Sequence, residues 1–364
     1  MRPHSDQLAE VLKGSHSRRL IVDVFHGSDR VAQDLPMQRW QLDGDLNAEI
    51  KHSGSGTIVY SSLAGESLVP TGTEGILSPF RARLLLLMEI TAGTFSETIT
   101  LGWRRIESIP SAYDVYHNDI VTGSVVEITF QSMELDLRRR GFRFPESPPA
   151  TTSCYAELRR ISGVTVVETL PDKAFASFVY ETAQGGRLKG IQALAAELGG
   201  VAVIDSTGSL RVLPKAAGDP VGALSVGPDG TVTDVGYSME TEGVYNAVVG
   251  TFEDDNRNPI YAVAQVTDGP LAVTGAYGEY TREYSSPLVK TQAGADSAVA
   301  AILANSISGQ QYDVPIQCIT NPLVELGDQL ELLGHVRDLE GKLTQYSMDD
   351  SALMGVNLEA WRAL

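Results

Sequence analysis

The chain has 364 residues, 43% of them hydrophobic, with 35 glycines, 17 prolines and a formal net charge of -18. That length accommodates roughly two to four domains with their own cores, and the abundance of turn formers among short alternating runs points to a mainly β protein. The acidity excludes a basic nucleic-acid-binding stripe, because phosphate contacts from Lys and Arg supply most of that affinity.

The basic clusters Arg18-Arg19 and Arg138-Arg139-Arg140 sit at element edges, where they solvate or pair with carboxylates. Cys154 and Cys318 make neither a disulfide framework nor a zinc spacing and read as small buried hydrophobes. The N-terminal stretch Met1-Arg2-Pro3-His4-Ser5-Asp6 lacks an apolar signal core, which predicts synthesis without secretion. The longest apolar run, Leu84 to Met88, falls far short of the roughly 20 residues that span a bilayer.

In chain order, Ser5 is placed to cap a short helix carrying Leu8, Val11 and Leu12 and ended by Gly14. Leu20 to Phe25 reads as a strand. Asp43-Gly44 reads as a hairpin turn between strands 37–42 and 45–51. Further strands are expected at 57–61, 81–90, 94–101, 103–109 and 124–131, so residues 1–147 form a first β region. Pro145, Pro148 and Pro149 mark its exit, since proline cannot continue a ladder.

Residues 151–235 read as an α+β region. Thr152 is the expected cap of a helix with Tyr155, Leu158 and Ile161 on one face, stopped near Gly163. A second helix shows Leu188, Ile191, Leu194, Ala195 and Leu198 on one stripe and ends at Gly199-Gly200. A hairpin follows, with strands 201–204 and 210–213 about Asp205-Ser206-Thr207-Gly208. Residues 236–364 read as a second β region, with strands at 245–253, 260–266, 312–320, 329–333, 345–349 and 355–361. One helix, about 292–308, interrupts it, with Ala295, Val299, Ile302, Leu303 and Ile307 at helical spacing and Gly309 at its end.

No catalytic, cofactor-binding or metal-ligating residue is assigned. The histidines His4, His16, His26, His52, His117 and His335 show no i,i+4 pair on a helix. Ser53-Gly54-Ser55-Gly56 is not a Gly-x-Ser-x-Gly elbow and reads as a plain loop between strands. Gly185-Gly186-Arg187-Leu188-Lys189-Gly190 lacks the ending of a phosphate loop and reads as the opening of a helix. Asp254, Asn256 and Asn258 resemble the start of a calcium loop, but Pro259 stands where the loop's glycine is required and Gln265 where its bidentate Glu belongs. The bland reading is a solvated hairpin tip.

The stretch Asn321-Pro322-Leu323-Val324-Glu325-Leu326-Gly327-Asp328-Gln329-Leu330-Glu331-Leu332-Leu333 reads as two strands joined by a tight Gly-Asp corner. It resembles the closing β unit of tail-hub proteins of long-tailed bacteriophages. Gly75-Ile76-Leu77-Ser78-Pro79-Phe80 and Leu101-Gly102-Trp103-Arg104-Arg105-Ile106 look like the first β domain of minor tail proteins of actinobacteriophages. The 191–213 helix–hairpin unit and Val244-Tyr245-Asn246-Ala247-Val248-Val249 fit the middle and the second β domain in the same order. Trp103 and Arg81 depart from the commoner residues at their positions.

The resemblance implies a mainly β (α+β) fold with two β-barrel-like antiparallel domains flanking an α+β region, assembled as a trimeric ring. The implied role is a structural virion protein, the hub of the tail tip, and not an enzyme. Implied partners are two further copies, distal tail and tube-ring proteins, the tape-measure protein, other tail-tip proteins or fibres, and DNA in transit. No cofactor and no membrane-spanning segment is expected. The competing readings are a tail-associated cell-wall hydrolase and a carbohydrate-binding tail adhesin.

Overall fold

The computed structural model describes residues 1–62, 65–228, 230–237, 241, 243–254, 256–286, 289–308, 310–334 and 338–362. Among them run, in order, α1 (Asp6–Val11), β1 (Ser17–His26), β2 (Asp29–Asp45), β3 (His52–Ser61), β4 (Ala82–Ala92), β5 (Phe95–His117), β6 (Ile120–Ser132) and α2 (Glu134–Arg139). Then come α3 (Cys154–Ser162), β7 (Val166–Val167), α4 (Gly186–Leu198), β8 (Gly200–Ile204), β9 (Leu210–Pro214), β10 (Gly222–Ser225) and β11 (Val232–Val235). The rest are β12 (Ala247–Glu253), β13 (Pro259–Gln265), β14 (Thr281–Tyr284), α5 (Gln292–Ser308), β15 (Gln310–Ile319), β16 (Gln329–Leu333), β17 (Leu339–Asp349) and β18 (Leu353–Arg362). The protein is mainly β with largely antiparallel sheets.

The chain divides into two compact units, Met1–Val235 with Pro315–Leu358, and Gly236–Val314 with Glu359 onward. One change of unit falls at residue 236, and residues 315–358 belong with the chain's first 235. The late strands pair with the early ones, because Gln41 to Asp45 of β2 lie opposite Gln345 to Asp349 of β17.

In the first unit β1, β4, β5, β6, β3 and β2 follow one another by antiparallel pairing, and β1 also pairs with β2, so six strands close a circuit. The alternation of β4 shows why. Ala82, Leu84, Leu86, Met88 and Ile90 are all fully buried, while Arg83, Leu85, Leu87 and Glu89 between them are less so. Strand side chains alternate between faces, so one face supplies core and the other meets polar surroundings. From the second half of β2 the sheet continues through β17, β18, β15 and β11, with β16 joining β17 and β10.

Three local expectations are corrected. Asp43-Gly44 is not a turn but lies inside β2, where Gly44 faces Tyr346; a Cβ there would fall 2.4 Å from the tyrosine ring. The residue is Gly because an aromatic ring occupies the space. The strands expected at 94–101 and 103–109 are one strand, β5, with a bulge at Gly102, whose φ of 114° favours glycine. Ser53 to Gly56 is no loop but the start of β3, with Gly54 against the Phe130 ring and Gly56 against Met37.

Helix α2 was not foreseen; it carries Arg138, which pairs with Glu49 at 3.8 Å and Glu107 at 4.0 Å. Helix α1 is capped by Ser5, whose hydroxyl accepts from the Leu8 amide. The cap of α3 is Ser153 and not Thr152, with Gly163 left-handed at its end.

Helices α3 and α4 pack with the strand order β7-β9-β8 around one core of Tyr155, Leu158, Ile161, Leu188, Ile191, Leu194, Ile204 and Val212. In the second unit α5 packs on the order β13-β12-β14, with Val248, Phe252, Ala295 and Val299 as its core. Gly309, expected at the end of α5, lies outside the described residues.

Candidate functional site at a polar junction

The two glycine motifs of the sequence meet the same hairpin. A Cβ on Gly102 would fall 2.9 Å from Ser206 Cα, and one on Gly327, at φ 86°, would fall 2.6 Å from Leu213 Cδ1. Only glycine permits both the backbone conformation and the approach of the β8–β9 hairpin. The reading of two strands about Gly327 is corrected here. Residues 321–328 hold two turns, at 322–323 and 326–327, and no strand, and only β16 is a strand. The Asp328 carboxylate holds the corner, accepting from the Glu325 amide at 2.7 Å and the Met1 nitrogen at 2.6 Å.

Around this contact lies a cavity of about 160 Å³ lined by Arg2, His52, Arg104, Asp205, Ser206, Arg211 and the 325–328 corner, among others. Arg2 is 3% exposed and donates to the Pro322 and Val324 carbonyls at 2.6 and 2.5 Å. Its Nε lies 3.8 Å from Glu325. Arg104, 4% exposed, donates to the Trp103 and Leu101 carbonyls at 2.9 and 3.3 Å.

Arg2 Nε, Arg104 Nε, Arg211 Nε and His52 Nδ1 are buried without a hydrogen-bond partner among the described residues. Burial, then Arg104, Arg2 and Lys51, hold the His52 pKa well below its ordinary value, so the ring is neutral near pH 7. Burial also lowers the Arg104 guanidinium.

Nothing in this wall pairs a nucleophile with a base. It presents donors held by four segments far apart in sequence, and no sequence signal marked Arg2 or Arg211. Only the glycines 102 and 327 pointed here.

The other candidates separate. His4, His16 and His26 each bond a main-chain carbonyl, of Arg2, Gly14 and Ile76, and lie apart; His335 is outside the described residues. Asp254 caps its own turn, with Oδ1 accepting from the amides of Asn256 and Asn258 at 2.8 Å. Asp255 is outside the described residues, and among those described no group of three metal-ligating side chains forms. Gly185, left-handed at φ 89°, opens α4. A surface groove lined by Val69, Pro70, Pro79, Phe80, Ile109 and Pro110 contains no carboxylate. No helix among the described residues is long and apolar enough to cross a membrane.

No family model matches the sequence, and no curated protein matches it. Solved structures share its fold. A tail protein from Neisseria meningitidis MC58 aligns over 93% of this chain and 96% of its own, at 12% identity and a TM-score of 0.55. The 43 kDa tail protein of prophage MuSo2 from Shewanella oneidensis aligns over 93% and 98%, at 11% identity and 0.55. A PdpA–VgrG complex structure aligns over 95% of this chain and 65% of its own, at 8% identity and 0.56. The chain therefore has the fold of phage tail proteins, from its first strands to its last.

Proposed function

We propose that this chain is a structural protein of a phage tail tip, a hub of three copies around an axial channel. The observation that carries the reading is the end-to-end fold likeness to two tail proteins, with nearly complete coverage of both partners.

In this reading the circuit of β1, β4, β5, β6, β3 and β2 is the first barrel-like module. The regions 1–147 and 236–364 supply two ring-forming β contributions per copy, with 151–235 between them in the chain. Three copies then present six similar modules to a hexameric tube or distal tail ring. The tape-measure protein and then DNA pass through the channel, and the protein resides in the virion. The single-chain charge of -18, tripled, gives the channel wall carboxylates that repel the DNA backbone. Repulsion keeps the duplex sliding, where a basic wall would hold it by counterion release.

Cryo-electron microscopy of particles carrying the chain tests the proposal. Three copies about one axis at the tail tip are expected. Absence from the particle, or any other copy number, overturns it. A channel wall that is neutral or basic overturns the electrostatic part alone.

A further inference from the structure

We propose that the cavity between the 325–328 corner, the β5 bulge and the β8–β9 hairpin binds one small oxyanion of the phosphate or sulfate class. The inference does not depend on the tail-hub reading.

The wall is unbalanced in one direction. Its four buried atoms without a hydrogen bond among the described residues, Arg2 Nε, Arg104 Nε, Arg211 Nε and His52 Nδ1, are all nitrogens able to donate. The buried oxygens without hydrogen-bond partners among the described residues, Ser78 Oγ, Glu134 Oε2, Gln329 Oε1 and Asn357 Oδ1, belong to residues that do not line it. Two of the wall's three carboxylates, Asp328 and Asp205, are engaged by hydrogen bonds. Asp328 accepts from Met1 and Glu325 nitrogens. Asp205 Oδ1 accepts from the Thr207 and Ser209 amides, and its Oδ2 lies 3.6 Å from Arg211 Nε. Glu325 reaches Arg2 Nε only at 3.8 Å.

Arg104 makes the case sharpest. It is almost wholly buried, it is held by two carbonyls, and no carboxylate lies within ion-pair distance of it among the described residues. A buried charge is stable when paired, and an unpaired one is costly. Guanidinium edges match the oxygens of a tetrahedral anion, and the neutral His52 ring donates in its Nδ1–H tautomer. A volume of about 160 Å³ equals the share of roughly five liquid waters, at ~30 Å³ each. One tetrahedral oxyanion with a water or two fits. The half-buried residues Ser206, Asp205 and Gly327 leave a mouth through which such an ion passes. Bound there, the anion ties the chain's first residues, the β5 bulge and β9 together.

The test titrates inorganic phosphate into the full chain by calorimetry, in chloride buffer at constant ionic strength. Saturable binding at one site is expected, with competition by sulfate and none by acetate. Arg104→Gln and Ser206→Asp are each expected to weaken it about tenfold or more, since each alters a charge-assisted contact. The second variant sits on a half-exposed turn and places a carboxylate at the mouth with both buried guanidinia intact, so it decides the matter if the first fails to fold. No saturable heat means the cavity holds water and overturns the proposal. Phosphate binding unchanged in Ser206→Asp places the anion elsewhere and overturns it too. Acetate binding as tightly as phosphate overturns the tetrahedral class.

Discussion

Two helix-on-sheet cores in this chain share a pairing scheme and differ in what fills them. In the first, β9 is central, with β8 antiparallel and β7 parallel to it. In the second, β12 is central, with β13 antiparallel and β14 parallel. The first has two helices and a cluster of aromatics, with Phe142 stacked on Tyr180 at 4.5 Å and Phe178 edge-on to it at 4.9 Å. It also buries hydrogen-bonded polar groups. Tyr155 Oη accepts from the Thr169 and Leu170 amides, and Glu157 accepts from Tyr180 and from both Nε and Nη2 of Arg160. The second has one helix and a core of Val248, Phe252, Ala262, Ala295, Val299 and Leu303. The same topology thus carries a polar-stapled, aromatic-rich core in one place and a smaller one, aliphatic but for Phe252 and the Tyr284 ring edge-on to it, in the other. Buried networks of satisfied groups raise the cost of any alternative packing.

The largest expected effect follows from Tyr155, which is fully buried. Tyr155→Ala removes a large buried ring, worth about 3–5 kcal/mol, and orphans two amides. Val299→Ala in the second core removes two methyl groups, worth about 2 kcal/mol with its cavity. Native-state hydrogen exchange read separately in α4 and α5 measures each loss locally. Equal losses would break the comparison.

A second contrast uses glycines of like conformation. Gly327 and Gly278 have φ of 86° and 81°, but a Cβ on Gly327 meets Leu213 at 2.6 Å while one on Gly278 meets nothing within 4 Å. Gly278→Ala costs only the backbone strain, about 1 kcal/mol. Gly327→Ala adds a displaced leucine and is expected to cost at least about 2 kcal/mol. Matching melting shifts for the two variants would mean that the hairpin is not held against the corner.

The regular elements were legible where periodicity was clean. The stripe Leu188, Ile191, Leu194, Leu198 and its Gly199 stop are there in α4 and its left-handed cap, and the alternation of β4 is there in its burial. What misled were glycines. Asp43-Gly44 carries the local signal of a turn, but Gly44 answers a ring on β17 some 300 residues away in sequence, and no local pattern encodes that. Gly102 looked like a break and is a bulge. Asn246 was quoted only as part of a motif. Fully buried, it donates to the Leu271 and Gly278 carbonyls and accepts from the Tyr280 amide, so it holds the 267–280 loop. The cavity was invisible, because its donors come from residues 2, 52, 104 and 211, and adjacency of that kind exists only after folding.

Acid sharpens the comparison next. Burial raises the Glu157 carboxyl, and the hydrogen bonds from Arg160 and Tyr180 more than offset it, leaving its pKa below the ordinary 4.5. A carboxyl depressed on folding contributes stability that is present above its unfolded value and lost as pH falls through the folded one. Exchange protection in α3 should therefore fall below about pH 4.5 in the native protein. Glu157→Gln should flatten that dependence while lowering protection at neutral pH. The second core has no buried carboxylate among its core residues, so α5 should show a weaker acid response.

The smallest expected effect lies on the outward face of the second sheet. Tyr261 and Val263, 64% and 63% exposed, stand two apart on β13 and so share a face. Their buried neighbour Ala262 and the half-buried Ile260 and Ala264 point to α5 instead. Exposed side chains away from caps and buried networks contribute little, so Tyr261→Ser with Val263→Thr should change stability by less than about 0.5 kcal/mol. Losses of the aromatic and β-branched strand preference fall within that margin. Thermal unfolding of the purified double variant checks this. A loss above about 1 kcal/mol would mean that both faces of this sheet are covered in solution, and the one-helix description of the second core would then be incomplete.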